Sequence, residues 1–249
     1  MISLPELETY CTELLSAEQF KDYCPNGLQV DAGRHEISRI VSGVTASMAL
    51  IDQAAEQQAD LMLVHHGWFW RNEPAPLTGV KGRRVRELLR HGINLMAYHL
   101  PLDAHPKLGN NRRLGDKLGF MDHAPLEEGG LVWGGSMTPL SADEFAAHLE
   151  QTLQRPPLHL PGGPTTISRV AWCTGAAQGE IETAASLGFD AFISGEVSES
   201  STHLAHELGI HYFSAGHHAT ERYGVQALGE HLAEKFGLQH RYIEVENPV

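Results

Sequence analysis

The sequence predicts an α/β protein of two related lobes, each a mixed sheet flanked by helices. Two observations predict it. Short apolar runs of strand length alternate with longer segments of helical periodicity. The order strand, helix, strand, helix, strand then occurs twice, at a spacing of about 120 to 130 residues that exceeds any solenoid repeat. A length of 249 residues suits two small domains packed together. The lobes are expected at 1–125 and 126–249, with the hinge in the Gly-rich, irregular stretch 120–140.

Ser3-Leu-Pro-Glu6 is a capping-box pattern that opens an amphipathic helix over 4–16, with Leu7, Tyr10, Cys11, Leu14 and Leu15 at helical spacing. Pro25-Asn-Gly-Leu-Gln-Val30 reads as a turn running into an extended piece. Arg39–Thr45 is a strand, and Ser47 caps an Ala-rich helix to residue 58. Asp60-Leu-Met-Leu-Val-His-His-Gly67 is the next strand, apolar on both faces as a parallel sheet requires. The loop 67–74 carries Trp68, Phe69 and Trp70, which pack beneath it, wall a pocket beside the histidines, or meet a partner subunit. A basic helix over 80–90, with Val80, Val85, Leu88 and Leu89 inward, stops at His91-Gly92. The strand Ile93–His99 then exits through Leu100-Pro-Leu-Asp103, and a helix runs from Asn110 to Leu118. A strand with tight glycine ends lies within 122–140, and Ser141-Ala-Asp-Glu144 is a second capping box opening a helix to about 154.

The second half repeats the first by residue type. Arg39-Ile-Val-Ser-Gly-Val-Thr-Ala matches Arg169-Val-Ala-Trp-Cys-Thr-Gly-Ala, and Asp60-Leu-Met-Leu-Val-His-His-Gly matches Asp190-Ala-Phe-Ile-Ser-Gly-Glu-Val. The third strands, Ile93–His99 and Ile210–His217, correspond in the same way, and a final helix runs to about 236.

Histidines and carboxylates gather where these strands end, which is where ligands bind in open α/β sheets. The first lobe offers His65, His66, His99 and Asp103; the second offers Glu196, His217, His218 and Glu221. A histidine pair at a strand exit is also an ordinary hydrogen-bonding feature. What tips the reading is convergence: His217 and Glu221 are four apart, on one face of a helix that starts by 217. His218 points about 100° away and reads as a structural residue or one that supports the ligands from behind. Imidazole and carboxylate without thiolate suit zinc, manganese, iron or nickel. Three histidines and two carboxylates exceed the four ligands of a structural zinc and suit two divalent ions. The expected site is therefore a metal cleft between the lobes at the strand carboxyl ends.

Composition narrows the partners. The net charge of -13 disfavours nucleic acid, and the run Lys81-Gly-Arg-Arg-Val-Arg86 reads as a solvated helix face. No stretch approaches the roughly 20 apolar residues of a membrane span, and the N-terminus lacks a signal-peptide pattern. The three cysteines, Cys11, Cys24 and Cys173, are scattered and odd in number, so a reducing cytoplasm is the expected compartment.

Pro25-Asn-Gly-Leu-Gln-Val30, Asp60–Gly67, His99-Leu-Pro-Leu-Asp103, Ser194-Gly-Glu196 and Ala215-Gly-His-His-Ala-Thr-Glu221, in that order, resemble the motifs of the type 2 GTP cyclohydrolase I family, the NIF-three-like proteins. The chain looks closest to the short bacterial branch without the inserted domain, and the resemblance covers essentially its whole length. It implies a dinuclear metal site held by His65, His66, Asp103, His217 and Glu221, with Asp103 or Glu221 bridging. It implies that His99 and Glu196 stand behind the ligands or face the substrate, with His99 as a proton-shuttling candidate. It also implies a toroidal homohexamer, and a small-molecule, nucleotide-type substrate whose guanine imidazole ring is opened with release of formate. Two other readings stay open: a metal-dependent phosphohydrolase acting on a nucleotide or another phosphorylated metabolite, and a non-enzymatic metal-binding scaffold. Many members have Thr-Asn before the aspartate where this chain has Leu100-Pro-Leu, and Pro101 stiffens that loop.

Overall fold

The computed structural model describes residues 1–249. The chain opens with β1 (Ile2–Ser3), α1 (Leu4–Leu14), β2 (Gly27–Val30), β3 (Glu36–Ile37), β4 (Arg39–Thr45), α2 (Met48–Glu56) and β5 (Leu61–His66). It continues through α3 (Gly79–His91), β6 (Asn94–Ala97), α4 (Leu100–Ala104), α5 (Asn110–Leu118), β7 (Met121–Pro125), β8 (Trp133–Leu140) and α6 (Ala142–Leu153). It ends with β9 (Leu158–Leu160), β10 (Ile167–Cys173), α7 (Ile181–Ser186), β11 (Ala191–Ser194), α8 (Ser201–Leu208), β12 (His211–Ser214), α9 (His217–Phe236) and β13 (Gln239–Tyr242). Both capping boxes form: the Ser3 and Ser141 hydroxyls accept from the backbone N–H of Glu6 and Glu144, whose carboxylates reach back. None of the helices is long and apolar enough to cross a membrane.

Two compact units result, one of Met1–Leu102 with Gly224–Glu246, the other of Asp103–Tyr223 with Asn247–Val249. This corrects the expected division at 125/126 and the hinge at 120–140. Leu114, Leu118 and Phe120 share a core with Trp133, Phe145 and Trp172, so residues 103–125 fold with the second sheet. The Gly-rich stretch is no hinge, because β7 and β8 pair antiparallel as that sheet's edge hairpin. The C-terminal strand β13, absent from the sequence-based reading, pairs parallel with β4, and Ile243 enters the first core.

The first unit holds a five-stranded sheet in the order β13-β4-β5-β6-β2, parallel except for β2, and a small β1-β3 ladder. Leu61, Met62, Leu63 and Val64 of β5 are fully buried, as a central parallel strand demands. Each such side chain contributes about 1.5–3 kcal/mol by leaving water. In α3 the buried strip is Gly82, Val85 and Leu88, while Val80 and Leu89 are half exposed, contrary to the expected inward face. Gly82 is at the centre of that strip because its backbone lies against the Leu77 carbonyl, where a Cβ would stand 2.3 Å from the oxygen.

The second unit holds a six-stranded sheet in the order β7-β8-β10-β11-β12-β9. Its centre, β10-β11-β12, is parallel, and its edges are antiparallel. Both units are thus mixed sheets flanked by helices.

The internal repeat appears as matched hydrogen bonding. Asp60 Oδ2 accepts from Ser38 N–H at 2.9 Å, Ser38 O–H at 2.8 Å and Arg39 N–H at 2.9 Å. Asp190 Oδ2 accepts from Ser168 N–H at 2.8 Å, Ser168 O–H at 3.0 Å and Arg169 N–H at 2.8 Å. In each unit this aspartate ties the start of the first parallel strand to the start of the second. Its own carbonyl then accepts from the third strand, from Asn94 N–H at 3.1 Å or His211 N–H at 3.0 Å.

Candidate metal centre

In the first unit, β5 delivers His65 and His66 to the carboxyl end of the sheet. His65 is fully buried, and its Nδ1 lies 2.9 Å from the Tyr98 carbonyl. A carbonyl only accepts, so Nδ1 carries a proton and donates it, which fixes the orientation of the ring. His66 Nδ1 lies 3.2 Å from the Thr45 hydroxyl at the end of the neighbouring strand β4. His99 leaves β6 beside them. Its Nδ1 donates to Asp22 Oδ1 at 2.7 Å, and its backbone N–H donates to Asn26 Oδ1 at 2.7 Å. Asp22 Oδ2 accepts from Asn26 at 2.9 Å and from Leu100 N–H at 3.0 Å. Burial disfavours the Asp22 charge, but the hydrogen bonds from His99 and Asn26, the His99 charge and the Tyr23 N–H hold its carboxyl down to about 2. One donor atom from each of His65, His66 and His99 lies within 4.8 Å of the others.

The aromatic loop divides its labour. Trp68 is buried and donates to the Ala46 carbonyl at 2.9 Å, so it packs. Trp70 walls the histidines, with ring centroids 5.0 Å from His99 and 6.0 Å from His66. Glu73 fixes the turn by accepting from the Phe69 and Trp70 N–H groups, and Phe69 sits at φ +64.

The second unit supplies the carboxylates. Asp103, in the short helix α4, is buried, and its Oδ1 accepts from Asn110 at 2.8 Å and from the Thr174 hydroxyl at 3.3 Å. Glu221, one turn into α9, is buried too, and an oxygen of each carboxylate lies within 4.8 Å of the other. Carboxylates held this close, away from water, need either a shared proton or positive charge beside them. His217, at the first position of α9, supplies some. Its Nε2 is 3.0 Å from Glu221 Oε2 and its Nδ1 is 2.7 Å from Glu196 Oε1. Burial disfavours the imidazolium, yet the hydrogen bonds and charges of Glu221 and Glu196 outweigh it and raise His217 to about 9. His217 thus bridges the two carboxylates, Nε2 against Glu221 and Nδ1 against Glu196, and Glu196 fixes the orientation of the ring.

Glycines let the backbone close in on these groups. Gly175, at φ +69 after β10, donates to the Thr220 hydroxyl at 3.2 Å and accepts from Gly195 N–H at 2.8 Å. A Cβ on Gly175 would stand 2.1 Å from Glu221 Oε1 and 3.2 Å from His217 Nε2. A Cβ on Gly195 would stand 2.6 Å from His217 Cα. His218 is buried, and its backbone N–H donates to the Val249 carbonyl at 3.0 Å.

The expected ligands thus gather as His65 and His66, with His99 beside them, in the first unit, and Asp103, His217 and Glu221, with Glu196, in the second. Sequence reasoning missed the residues that hold them. Asp22 and Asn26 brace His99; Asn110 and Thr174 brace Asp103. Asn111 donates to the Asp103 carbonyl at 3.4 Å and accepts from Thr174 N–H at 3.0 Å. The visible signals are the Asn110-Asn111 doublet opening a helix and Asn26 within the Pro-Asn-Gly turn. The donor set fits divalent metal: imidazoles whose Nδ1 atoms are held by protein groups, buried carboxylates, and no thiolate among them.

Comparison with known proteins extends the resemblance across the chain. The family model described as Duf34/NIF3 (NGG1p interacting factor 3) matches residues 2–248. A protein of Allochromatium vinosum named GTP cyclohydrolase 1 type 2 homolog is 56% identical over 250 residues, covering 100% of this chain and 98% of that one. Among solved structures, one titled protein ybgI, unknown function, aligns with a TM-score of 0.96 at 46% identity, covering 100% of both chains. The protein TTHA1606 from Thermus thermophilus aligns with a TM-score of 0.91 at 34% identity, again over 100% of both chains.

Proposed function

The chain belongs to the Duf34/NIF3 family, and from that footing we propose that it is a dinuclear-metal-dependent hydrolase of the GTP cyclohydrolase type. In this reading His65, His66, Asp103, His217 and Glu221 together hold two divalent ions, drawn from zinc, manganese, iron and nickel. The observation that carries it is the buried carboxylate pair Asp103 and Glu221, with His217 already holding positive charge against Glu221. Bound ions would lower the pKa of water and polarise the bond under attack.

The rest is the work of this chain's own side chains. Glu196 holds His217 in one ring orientation through Nδ1, and the Tyr98 carbonyl does the same for His65. Asn110 and Thr174 both hydrogen-bond Oδ1 of Asp103 and so fix the orientation of its carboxylate. Trp70 gives a flat apolar wall beside His66 and His99, which suits a planar base better than a bare phosphoester. That wall favours ring opening of a guanine nucleotide with formate release over phosphate release. Assembly into a toroidal homohexamer accompanies this reading, as does an address in the cytoplasm.

The test is a panel assay of metal-loaded protein that includes GTP, with formate and phosphate followed separately. Formate supports the cyclohydrolase reading. Phosphate alone redirects it to a phosphohydrolase, and neither product with metal tightly bound redirects it to a scaffold. Anomalous diffraction at the metal edges tests the centre itself, and one ion or none at these residues ends the dinuclear reading.

A further inference from the structure

His99 lies outside the five-residue ligand set, yet it is held more firmly than a packing residue needs. Its backbone N–H is taken by Asn26 Oδ1 and its Nδ1 by Asp22 Oδ1, both at 2.7 Å. Asn26 and Asp22 are themselves joined at 2.9 Å, so main chain and ring are clamped by one hydrogen-bonded block. The Asp22 oxygens also accept from Tyr23 N–H at 2.6 Å and Leu100 N–H at 3.0 Å, which fixes the carboxylate in turn. Trp70 packs against the ring at 84°, edge to face, limiting its rotation. With Nδ1 committed to a carboxylate, Nε2 is the ring nitrogen left to face the neighbouring histidines. The ring centroid is 5.2 Å from His65 and 5.8 Å from His66. One donor atom of each of the three rings lies within 4.8 Å of the others, which groups them as one compact imidazole cluster. A carboxylate behind one nitrogen of an imidazole whose other nitrogen faces a metal site is the arrangement that raises ligand basicity and fixes the tautomer.

We propose that His99 is a further imidazole ligand of the metal centre, and that Asp22 and Asn26 are the positioning residues that present it. The proposal rests on the metal-centre reading above and adds to it. The first unit then contributes a cluster of three imidazoles rather than a pair.

Cobalt(II) titration of the full chain tests it, with metal content and proton NMR as readouts. Each coordinated imidazole gives one exchangeable N–H resonance shifted by the paramagnetic ion. The His99→Gln protein is expected to bind cobalt and show one such resonance fewer than wild type. Asp22→Asn is expected to keep every resonance but bind cobalt about 10–100-fold more weakly. A second measurement needs no variant: NMR-active cadmium in wild type with nitrogen-labelled histidine should couple to one histidine beyond His65, His66 and His217. Two bound ions with unchanged resonances in His99→Gln, or no additional cadmium-coupled histidine, overturn the role of His99 while leaving the metal centre intact. No cobalt uptake by wild type overturns both.

Discussion

Replacing Gly175 by alanine should disable the metal centre while leaving the fold in place. The new Cβ would stand 2.1 Å from Glu221 Oε1, against a practical minimum of 3.0 Å, and 3.1 Å from Glu221 Cδ. The carboxylate must therefore withdraw by about 1 Å, and a displacement of that size at a preorganised site costs on the order of 10²-fold in activity. His217 Nε2, 3.2 Å from the same position, is crowded as well. Metal affinity should fall by at least the roughly 10–100-fold typical of a disturbed supporting residue. The alanine also adopts φ +69, which adds about 1–2 kcal/mol of backbone strain unconnected with the site. Gly119→Ala separates the two effects. That glycine has φ +71 in the same unit but nothing within 4 Å of its added Cβ. Without metal both variants should carry the backbone strain, with Gly175→Ala losing more because of its clash, and only Gly175→Ala should lose affinity in a competition titration against a chromophoric chelator. Equal affinities for wild type and Gly175→Ala would refute the reasoning.

Three further outcomes follow from the same geometry. In metal-free protein His217 is raised to about 9 by Glu221 and Glu196 after burial is overcome, so its stabilising contribution is complete below the ordinary histidine value and is lost as pH rises through 9. Metal uptake at neutral pH should then release a proton, read as buffer-dependent enthalpy in calorimetry, and Glu196→Gln should reduce the release. Burial lowers His240 to about 4, and its Nε2 pairs with the Ser42 hydroxyl at 2.7 Å, so stability should fall as pH drops from the ordinary histidine range towards 4. The loss is about 1–2 kcal/mol after allowing for partial exposure, and an unchanged midpoint over that pH range in thermal unfolding would count against it. Asp60→Asn should cost about 1–3 kcal/mol in denaturant titrations at neutral pH, because it weakens acceptance from Ser38 and Arg39. The Asp60 carboxyl is held low, against its burial, by Ser38 and Arg39 hydrogen bonds and the Arg34 charge, so its contribution persists above the usual carboxylate range and fades as pH falls below it.

The candidate ligands are legible in the sequence because strand ends concentrate them: His65 and His66 close an apolar run, and His217 and Glu221 stand one helical turn apart. The helix caps are legible for the same reason, since Ser3 with Glu6 and Ser141 with Glu144 act within one turn. What sequence patterns do not reveal is pairing across long separations. Asp22 meets His99 from 77 positions away, and Thr174 meets Asp103 from 71. No periodicity encodes either. The division of the chain fails for a related reason. β13 is short and polar, Gln-His-Arg-Tyr, and only its ladder with β4 returns the C-terminal stretch to the first unit. The mistaken inward face of α3 has a local cause: Gly82 occupies the buried strip, so hydrophobicity alone misplaces Val80 and Leu89.

The paired aspartate braces carry a consequence for descent. Counting from Asp60 and Asp190, the positions of His65 and His66 in one unit correspond to Gly195 and Glu196 in the other. Whatever once stood at 195, the backbone now forbids a side chain there: an added Cβ would meet His217 Cα at 2.6 Å, Gly175 O at 2.7 Å and His217 N at 2.9 Å. None of these atoms can rotate aside. Placing histidine at this position would require moving the start of α9 and the loop after β10 together. The two repeats therefore share the aspartate brace but not the chemistry at the matching strand end, where only the first has room for an imidazole.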